Sequence, residues 1–203
     1  MKIICVGRNY ADHAKELKND LPTTPVLFMK PKSAILLPGK PFLYPEFTDD
    51  LHYECELVIR ICKNGKYVQA RQAHNYYDSM TVGIDFTARD LQREQQKKGL
   101  PWEIAKAFDG SAVVGEFIPS PADGISGDIE FRLDKNGETV QVGITAQMIF
   151  SVDKIIEYAS QFFTLNIGDL IFTGTPAGVG PVVTTDVLEG YLGDKKLLEV
   201  AIR

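Results

Sequence analysis

The feature that most constrains this chain is residues 52–61, where two acidic side chains interrupt an otherwise apolar, strand-like sequence. β-Branched and other apolar residues dominate, proline and glycine are absent, and an Asn-Gly turn signal follows at 64–65, all of which predict a β-strand. Side chains alternate along a strand, so Glu54 and Glu56 are expected on one face, with Cα atoms about 7 Å apart. Two neighbouring carboxylates repel each other and are costly to bury. The segment therefore predicts either two solvated glutamates on a half-exposed strand or a divalent cation site.

A third acidic residue, Asp85, lies in a second alternating apolar segment, residues 80–87. Three carboxylate donors with room for water suit Mg²⁺ or Mn²⁺. A +2 ion among three carboxylates leaves a net charge of about −1, so an anionic substrate would require cationic side chains nearby. Arg8, Lys30 and Lys106 are the candidates for that role.

Two histidines also deserve chemical interpretations. His52 shares the predicted face of Glu54, where it is either a transition-metal ligand or, more conservatively, a histidine at the edge of the site. His13 and Glu16 are three residues apart in a helix predicted over about 10–18 and capped by Asn9. This spacing is consistent with a general-base pair that activates water and equally with a surface pair. The loop that follows, residues 19–25, is long enough for this helix to move as a lid.

Size and charge narrow the class of protein. A chain of 203 residues with 44% hydrophobic content suits a single globular domain, 1–203. The net charge of −5 and the absence of a long apolar run argue against a nucleic-acid partner and a membrane span. The three cysteines fall in apolar strand patterns and are expected to be reduced, which predicts a cytoplasmic location.

The remaining pattern predicts a mainly β protein with few helices. Residues 87–98 are expected to form an exposed helix, and residues 174–180 a glycine-rich loop whose N–H groups either approach a small anion or form a tight turn. The other predicted elements are strands over 3–6, 26–29, 113–118, 128–134, 139–144, 182–188 and 196–202, a hairpin turn at 135–137 and a helix over 152–163 capped by Ser151.

Several motifs, in order along nearly the whole chain, resemble the fumarylacetoacetate hydrolase family, in particular its short single-domain acylpyruvate hydrolase and oxaloacetate decarboxylase branch. The motifs are Gly7-Arg8-Asn9-Tyr10-Ala11-Asp12-His13, Phe28-Met29-Lys30-Pro31, His52-Tyr53-Glu54-Cys55-Glu56-Leu57, Asp85-Phe86-Thr87-Ala88-Arg89-Asp90, Gly99-Leu100-Pro101-Trp102 through Lys106, and Gly174-Thr175-Pro176 through Gly180. The resemblance implies an α+β, β-dominated fold: a mixed β-roll of several sheets with few short helices, usually assembled as a homodimer.

The resemblance also implies roles for individual residues. The metal ligands would be Glu54, Glu56 and Asp85, and the ion Mg²⁺ or Mn²⁺. His13 and Glu16 would activate water on a mobile helix, and Lys106 would be the active-site lysine. The residues that would line the substrate pocket are Arg8, proposed above on charge, and Lys30, Gln92 and Thr175, which match the family's pattern. The sequence departs from the family's usual residues at three places. The departures at Val140 and near Gln147 concern substrate contacts, and the one at Thr185-Asp186 concerns a turn.

The expected reaction is metal-dependent C–C bond cleavage in a pyruvate-type β-keto acid: acylpyruvate hydrolysis, oxaloacetate decarboxylation, or both. One alternative is an isomerase or hydratase of unsaturated 2-oxo-dicarboxylates, which would use the same enolate without C–C cleavage. A second, from another class, is a non-catalytic binding protein stabilised by metal.

Overall fold

Fourteen strands form three sheets in the part of the chain that the computed structural model describes, residues 1–12 and 21–203. The strands are β1 (Ile3–Val6), β2 (Leu27–Lys30), β3 (Leu51–Tyr53), β4 (Cys55–Ile61), β5 (Tyr77–Asp85), β6 (Thr87–Ala88), β7 (Ala112–Val114), β8 (Ile118–Pro119), β9 (Glu130–Lys135), β10 (Glu138–Ile144), β11 (Leu170–Phe172), β12 (Gly180–Pro181), β13 (Val187–Leu192) and β14 (Lys195–Ala201). The helices are short: α1 (Ala70–Ala73), α2 (Arg89–Lys98), α3 (Glu103–Lys106) and α4 (Val152–Phe162), with 3₁₀ turns at Lys32–Ala34, His74–Tyr76 and Thr145–Gln147. The predicted β-dominated α+β class is confirmed.

The largest sheet positions the site. Its order is β2-β1-β11-β4-β5-β7, with β8 also paired to β5; β1 and β11 run parallel and the other pairs antiparallel. Side chains on both faces of β4 are buried except Arg60, because the sheet is covered on both sides. The alternative expectation, a half-exposed strand with solvated glutamates, is therefore wrong. The other two sheets have the orders β10-β9-β13-β14 and β12-β3-β6.

The predicted strand over 52–61 is interrupted at Glu54. β3 pairs with β6 and β12, whereas β4 joins the largest sheet between β11 and β5. The chain therefore changes sheets at Glu54, and unbroken alternation over ten residues was the wrong expectation. The backbone carbonyl of Glu54 nevertheless accepts a hydrogen bond from the Asp85 N–H at 2.8 Å, so the end of β5 remains beside the interruption.

Helix α2 differs from the exposed helix predicted over 87–98. Residues 87–88 form β6, and the helix begins at Arg89 and ends before Gly99, whose positive φ of 65° closes it. Three of its polar side chains, Arg89, Gln92 and Gln95, are buried. Full exposure was wrong because this helix turns polar side chains toward a polar interior.

The predicted hairpin turn and second helix agree with the structure more closely. Asn136 and Gly137 take positive φ values of 54° and 83° between β9 and β10. Ser151 caps α4 by accepting from the Lys154 N–H. The strand predicted over 182–188 is displaced, since β13 covers Val187–Leu192 and follows a turn in which Thr185 has a φ of 87°.

Part of the predicted lid helix over 10–18, including His13 and Glu16, lies outside the described residues; Ala11 and Asp12 are helical. The side chain of Asn9, the predicted cap, donates to the carbonyls of Phe150 and Thr173 and accepts from the Phe150 N–H, which ties the end of β1 to two distant loops. Its capping of the helix stays a prediction. No helix in the described ranges has the length and apolarity needed to cross a membrane.

Candidate active site

Three buried carboxylates from separate segments meet at the end of the central strands. Glu54, Glu56 and Asp85 each offer an oxygen within 4.8 Å of the others, and the three residues are at most 6% exposed. Glu54 lies at the interruption between β3 and β4, Glu56 is the second residue of β4, and Asp85 ends β5. The sequence placed all three in one site, and the structure brings them together.

The glycine-rich loop binds a carboxyl group of the protein itself. The N–H of Gly174 donates to Glu56 Oε2 at 2.6 Å. Gly174 has a φ of 101°, and a Cβ there would lie 2.6 Å from the Cβ of Asn9. Glycine is therefore required both for the backbone conformation and for the close approach that fixes Glu56.

Lys106, at the end of α3, links two of the carboxylates. Its ammonium donates to Glu54 Oε2 at 2.8 Å, to Asp85 Oδ2 at 2.8 Å and to Thr87 Oγ1 at 2.6 Å. These contacts use all three N–H groups of the lysine. Burial favours the neutral amine, but Asp85 and Glu54 outweigh it and raise the pKa of Lys106, so the side chain is a cation.

Lys30, predicted to contact substrate, lies fully buried behind Asp85. Its Nζ is 2.8 Å from Asp85 Oδ1 and donates to Ser111 Oγ at 3.0 Å and to the carbonyl of Lys106. It therefore supports the carboxylate and the α3 backbone at once. A direct contact with substrate stays a prediction.

A third cation, Arg89, was not proposed from the sequence. One of its terminal nitrogens donates to Glu54 Oε1 at 2.6 Å and the other to Gln92 Oε1 at 2.7 Å. The cluster thus holds three carboxylates and three cations, Lys30, Arg89 and Lys106. Arg89 was missed because the pattern of α2 indicated an exposed helix. A buried arginine next to a strand end is recognisable only once its acidic partner is located.

Electrostatics favour a cation among the three carboxylates. Burial, together with the charges of Asp85 and Glu54, raises the pKa of Glu56 well above its usual value. Asp85 Oδ1 is buried and accepts no aligned hydrogen bond from the described residues, although Lys30 lies at ion-pair distance. Hard oxygen donors, a raised carboxyl pKa and an oxygen without a hydrogen bond fit Mg²⁺ or Mn²⁺.

A cavity of about 270 Å³, the reaction cavity, opens beside these residues. Arg8 and Gln92, both predicted to bind substrate, line it. The other lining residues are Gly7, His52, Glu54, Arg89, Arg93, Gln96, Trp102, Lys106 and Val179. The concentration of cationic side chains makes this cavity suitable for a small anion.

His52 is held at the wall of the reaction cavity through its Nε2, which lies 2.8 Å from Asp50 Oδ1. Asp50 in turn accepts from Arg93 at 2.8 Å. Burial and the nearby Arg89 lower the pKa of His52 despite the Asp50 contact. His52 thus lies beside the carboxylates, at the edge of the cluster.

Thr175, also predicted to bind substrate, is linked to β4 by Gln141. The Gln141 side chain donates to Thr175 Oγ1 at 2.9 Å and to the Pro176 carbonyl at 3.0 Å, and accepts from the Cys55 N–H at 2.9 Å. It therefore fixes the backbone between Glu54 and Glu56 against the glycine-rich loop. The sequence drew attention to the neighbouring Val140 and missed Gln141. No spacing rule connects a residue of the four-stranded sheet to β4.

Comparison with known proteins identifies relatives along the whole chain. The sequence pattern of the family described as fumarylacetoacetate (FAA) hydrolase C-terminal matches residues 2–203. The chain is 43% identical over 194 residues to the mitochondrial oxaloacetate tautomerase of Caenorhabditis elegans, a match that covers 96% of this chain and 91% of that protein.

Two solved structures extend the comparison. The fumarylpyruvate hydrolase from Pseudomonas aeruginosa in complex with Mn²⁺ and pyruvate is 39% identical, with a TM-score of 0.91 and coverage of 100% of this chain and 89% of that chain. The 2-hydroxyhepta-2,4-diene-1,7-dioate isomerase from Mycobacterium marinum is 37% identical, with a TM-score of 0.85 and coverage of 99% and 73%. These three relatives are named as a tautomerase, a hydrolase and an isomerase, so all are enzymes.

Proposed function

Because the chain belongs to the fumarylacetoacetate hydrolase family, we propose that it is a metal-dependent enzyme that cleaves a C–C bond in pyruvate-type β-keto acids. The observation that carries the proposal is the meeting of Glu54, Glu56 and Asp85 within 4.8 Å of one another, beside Lys106 and a cationic cavity. The reactions are acylpyruvate hydrolysis and oxaloacetate decarboxylation.

Glu54, Glu56 and Asp85 are the residues that would hold the ion. Bound there, Mg²⁺ or Mn²⁺ supplies a Lewis acid that polarises the 2-oxo group and stabilises enolate charge. Arg8 and Gln92 on the cavity wall bind the carboxylate of the substrate in this proposal. With Glu56 ionised, three carboxylates are balanced by three protein cations. A bound dication would therefore leave the site positive, which suits an anionic 2-oxo acid.

Lys106 stabilises the enolate oxygen by donating a hydrogen bond. All of its N–H groups already have acceptors, so one contact must be exchanged when substrate binds. The Thr87 hydroxyl is the neutral acceptor among them and is the contact most easily replaced. Lys106 keeps its links to Glu54 and Asp85 in this arrangement.

The two substrates differ in the need for water. In hydrolysis, water adds to the distal carbonyl and the C–C electron pair moves to the pyruvate unit, giving a carboxylate and pyruvate. In decarboxylation, the same electron pair is left behind when CO₂ departs. His13 and Glu16, outside the described residues, are proposed to take the proton from water, as the resemblance implies.

A substrate panel tests the proposal. Oxaloacetate, acetylpyruvate and longer acylpyruvates, each assayed with Mg²⁺ and Mn²⁺, are expected to release pyruvate. His13→Ala is expected to suppress hydrolysis far more than decarboxylation, because only hydrolysis requires an activated water. Equal loss of both activities with metal content intact contradicts that division of roles.

Oxaloacetate tautomerisation is the second candidate, supported by the name of the Caenorhabditis elegans relative. It needs proton transfer at the enolate but no C–C cleavage, as does the isomerase reaction considered from the sequence. Decay of the enol absorbance without release of pyruvate distinguishes this activity from cleavage. Metal-dependent thermal stabilisation without any turnover of 2-oxo acids would instead favour a binding protein.

We also propose a homodimer. Exposed apolar side chains, Leu37 at 66%, Leu43 at 70% and Phe47 at 51%, line a groove of about 1090 Å³. Contiguous exposed apolar surface of this kind is typical of protein interfaces. A dimeric mass by light scattering, reduced to a monomeric mass in Leu43→Asp, supports this assembly; a monomeric parent protein contradicts it. The cytoplasmic location stays a prediction.

A further inference from the structure

A second cavity adjoins the reaction cavity. It has a volume of about 420 Å³, and Trp102 and Lys106 line both cavities. Its other lining residues are Val26, Leu27, Phe28, Met29, Gly99, Leu100, Pro101 and Glu103. We call it the apolar cavity, because eight of its ten residues are apolar aliphatic, aromatic, proline or glycine.

We propose that the apolar cavity is the subsite for an uncharged acyl tail, which would make this protein select acylpyruvates with aliphatic or aromatic acyl groups. The inference rests on the proposed function and deepens it, since it assigns the distal part of the substrate to a place in the fold. Nothing in the chemistry of the carboxylate cluster specifies that part.

The shared wall is built from aromatic contacts. The rings of Phe28 and Trp102 lie 5.9 Å apart, and Lys106 Nζ lies 5.2 Å from the centre of the Phe28 ring. Trp102 also packs close to Gly7, where an added Cβ would lie 3.4 Å from its ring. The lysine that contacts two carboxylates of the site therefore also borders an apolar surface, which places a reacting carbonyl next to a hydrophobic tail.

Volume supports a divided site. Small-molecule pockets usually have volumes of about 300–1,000 Å³. The reaction cavity, at about 270 Å³, suits a compact acid such as oxaloacetate, whereas the apolar cavity, at about 420 Å³, supplies the additional space. An acylpyruvate with a longer chain requires that second space.

Charge determines the class of tail. The reaction cavity presents Arg8, Arg89 and Arg93 in addition to Lys106, so a distal carboxylate is attracted there. The charged residues of the apolar cavity are the exposed Glu103 and Lys106. Lys106 is already paired with Glu54 and Asp85, so Glu103 is left to repel a distal carboxylate. Burial of an uncharged tail removes apolar surface from water without that repulsion. The two cavities thus separate substrates by the charge of the group beyond the reacting carbonyl.

The experiment uses Leu100→Trp, which enlarges a half-exposed side chain at the wall of the apolar cavity. Leu100 is linked to α2 by its backbone N–H, which the substitution keeps. Ile167→Trp is the matched control, since Ile167 is similarly exposed and precedes β11, at the opposite end of that strand from Gly174. The kcat/KM values for hexanoylpyruvate, acetylpyruvate and oxaloacetate are measured for each variant.

We expect Leu100→Trp to lower kcat/KM for hexanoylpyruvate about tenfold or more, the discrimination typical of a few methylenes in a hydrophobic pocket. For oxaloacetate, kcat/KM of this variant is expected to stay within about twofold of the parent protein. Ile167→Trp is expected to leave kcat/KM unchanged for both hexanoylpyruvate and oxaloacetate. A second variant, Glu103→Gln, is expected to raise kcat/KM for acylpyruvates whose tail ends in a carboxylate, such as fumarylpyruvate, relative to hexanoylpyruvate.

Three results overturn the subsite. The first is an equal effect of Leu100→Trp on all three substrates, and the second is no effect on any of them. The third is a parent protein that turns over oxaloacetate but no acylpyruvate beyond acetylpyruvate. In each case the proposed function survives. A parent protein that turns over no 2-oxo acid with either metal removes the proposed function itself, and the subsite with it.

Discussion

Two lysines each bridge a pair of carboxylates, one in the interior and one at the surface. Lys106 contacts Glu54 and Asp85, both at 2.8 Å, with a side chain 3% exposed. Lys196 contacts Glu189 at 2.8 Å and Glu199 at 2.6 Å across β13 and β14, with a side chain 43% exposed. The chemical groups and distances are nearly the same, so burial is the main difference.

Burial changes what such a cluster can do. Ions at the surface remain hydrated and their pairs contribute little to stability. Buried ions lose hydration, and their pairing must offset that cost. The interior cluster also includes Glu56, whose carboxylate is held by Gly174 and repelled by its acidic neighbours. An arrangement this unfavourable for stability is expected where a ligand uses it, and the ligand proposed here is a divalent cation.

The largest expected effect is on activity. Glu54→Ala removes one of the three carboxylates and is expected to lower kcat/KM for both hydrolysis and decarboxylation by more than about a thousandfold. The reason is that a bound Lewis acid would stabilise the transition state by several kcal/mol. Glu199→Ala, its surface counterpart, is expected to leave kcat/KM unchanged. Steady-state assays and metal analysis of both variants test the difference. Activity retained in Glu54→Ala would contradict the assigned role.

The next effect is on stability. Lys106→Met leaves the buried carboxylates of Glu54 and Asp85 without their shared cation, which is expected to lower the free energy of unfolding by about 3–5 kcal/mol. Lys196→Met breaks a hydrated cluster and is expected to leave the urea midpoint unchanged. Equal midpoints for the two variants would show that burial is not the deciding difference.

A neutral buried group should fall between these extremes. Gln141→Leu keeps the volume but leaves the Cys55 N–H without its acceptor, which is expected to cost about 1–3 kcal/mol. Thr139→Ala serves as the control. Thr139 lies on the same strand as Gln141, and the substitution removes only its exposed hydrogen bond to Asp134. Urea denaturation measures both, and KM for the 2-oxo acid reports whether Thr175 moves in Gln141→Leu.

The smallest effect is a gain in stability at the turn before β13. Thr185 precedes β13 with a φ of 87°, a strained conformation for a β-branched residue. Thr185→Gly is expected to stabilise the protein by about 1 kcal/mol, since relief of strain exceeds the entropy that glycine loses on folding. The melting temperature should rise with no change in kcat/KM. A lower melting temperature would indicate that the Thr185 side chain contributes more than its backbone strain costs.

The sequence identified the acidic part of the site better than its cationic part. Alternation placed Glu54 and Glu56 together, and apolar neighbours made Asp85 conspicuous, so local pattern was sufficient for the carboxylates. Arg89 reaches the site from α2, and Gln141 reaches it from β10 in the four-stranded sheet. Contacts between elements distant along the chain leave no periodic signal in the sequence.

Strand pairing set a similar limit on predicting the fold. The existence of most strands followed from composition and turn residues, as at the 135–137 hairpin. The interruption at Glu54 did not, because β3 and β4 pair with different sheets. A change of sheet within one apolar run depends on partners that are distant along the chain.

Crystals soaked in Mn²⁺ test the central claim most directly, through anomalous diffraction at the manganese edge. One strong peak is expected, bounded by the carboxylate oxygens of Glu54, Glu56 and Asp85, and it should be absent from crystals of Glu56→Gln treated in the same way. Crystals of the parent protein without a peak there, at a Mn²⁺ concentration that supports turnover, would contradict the central claim.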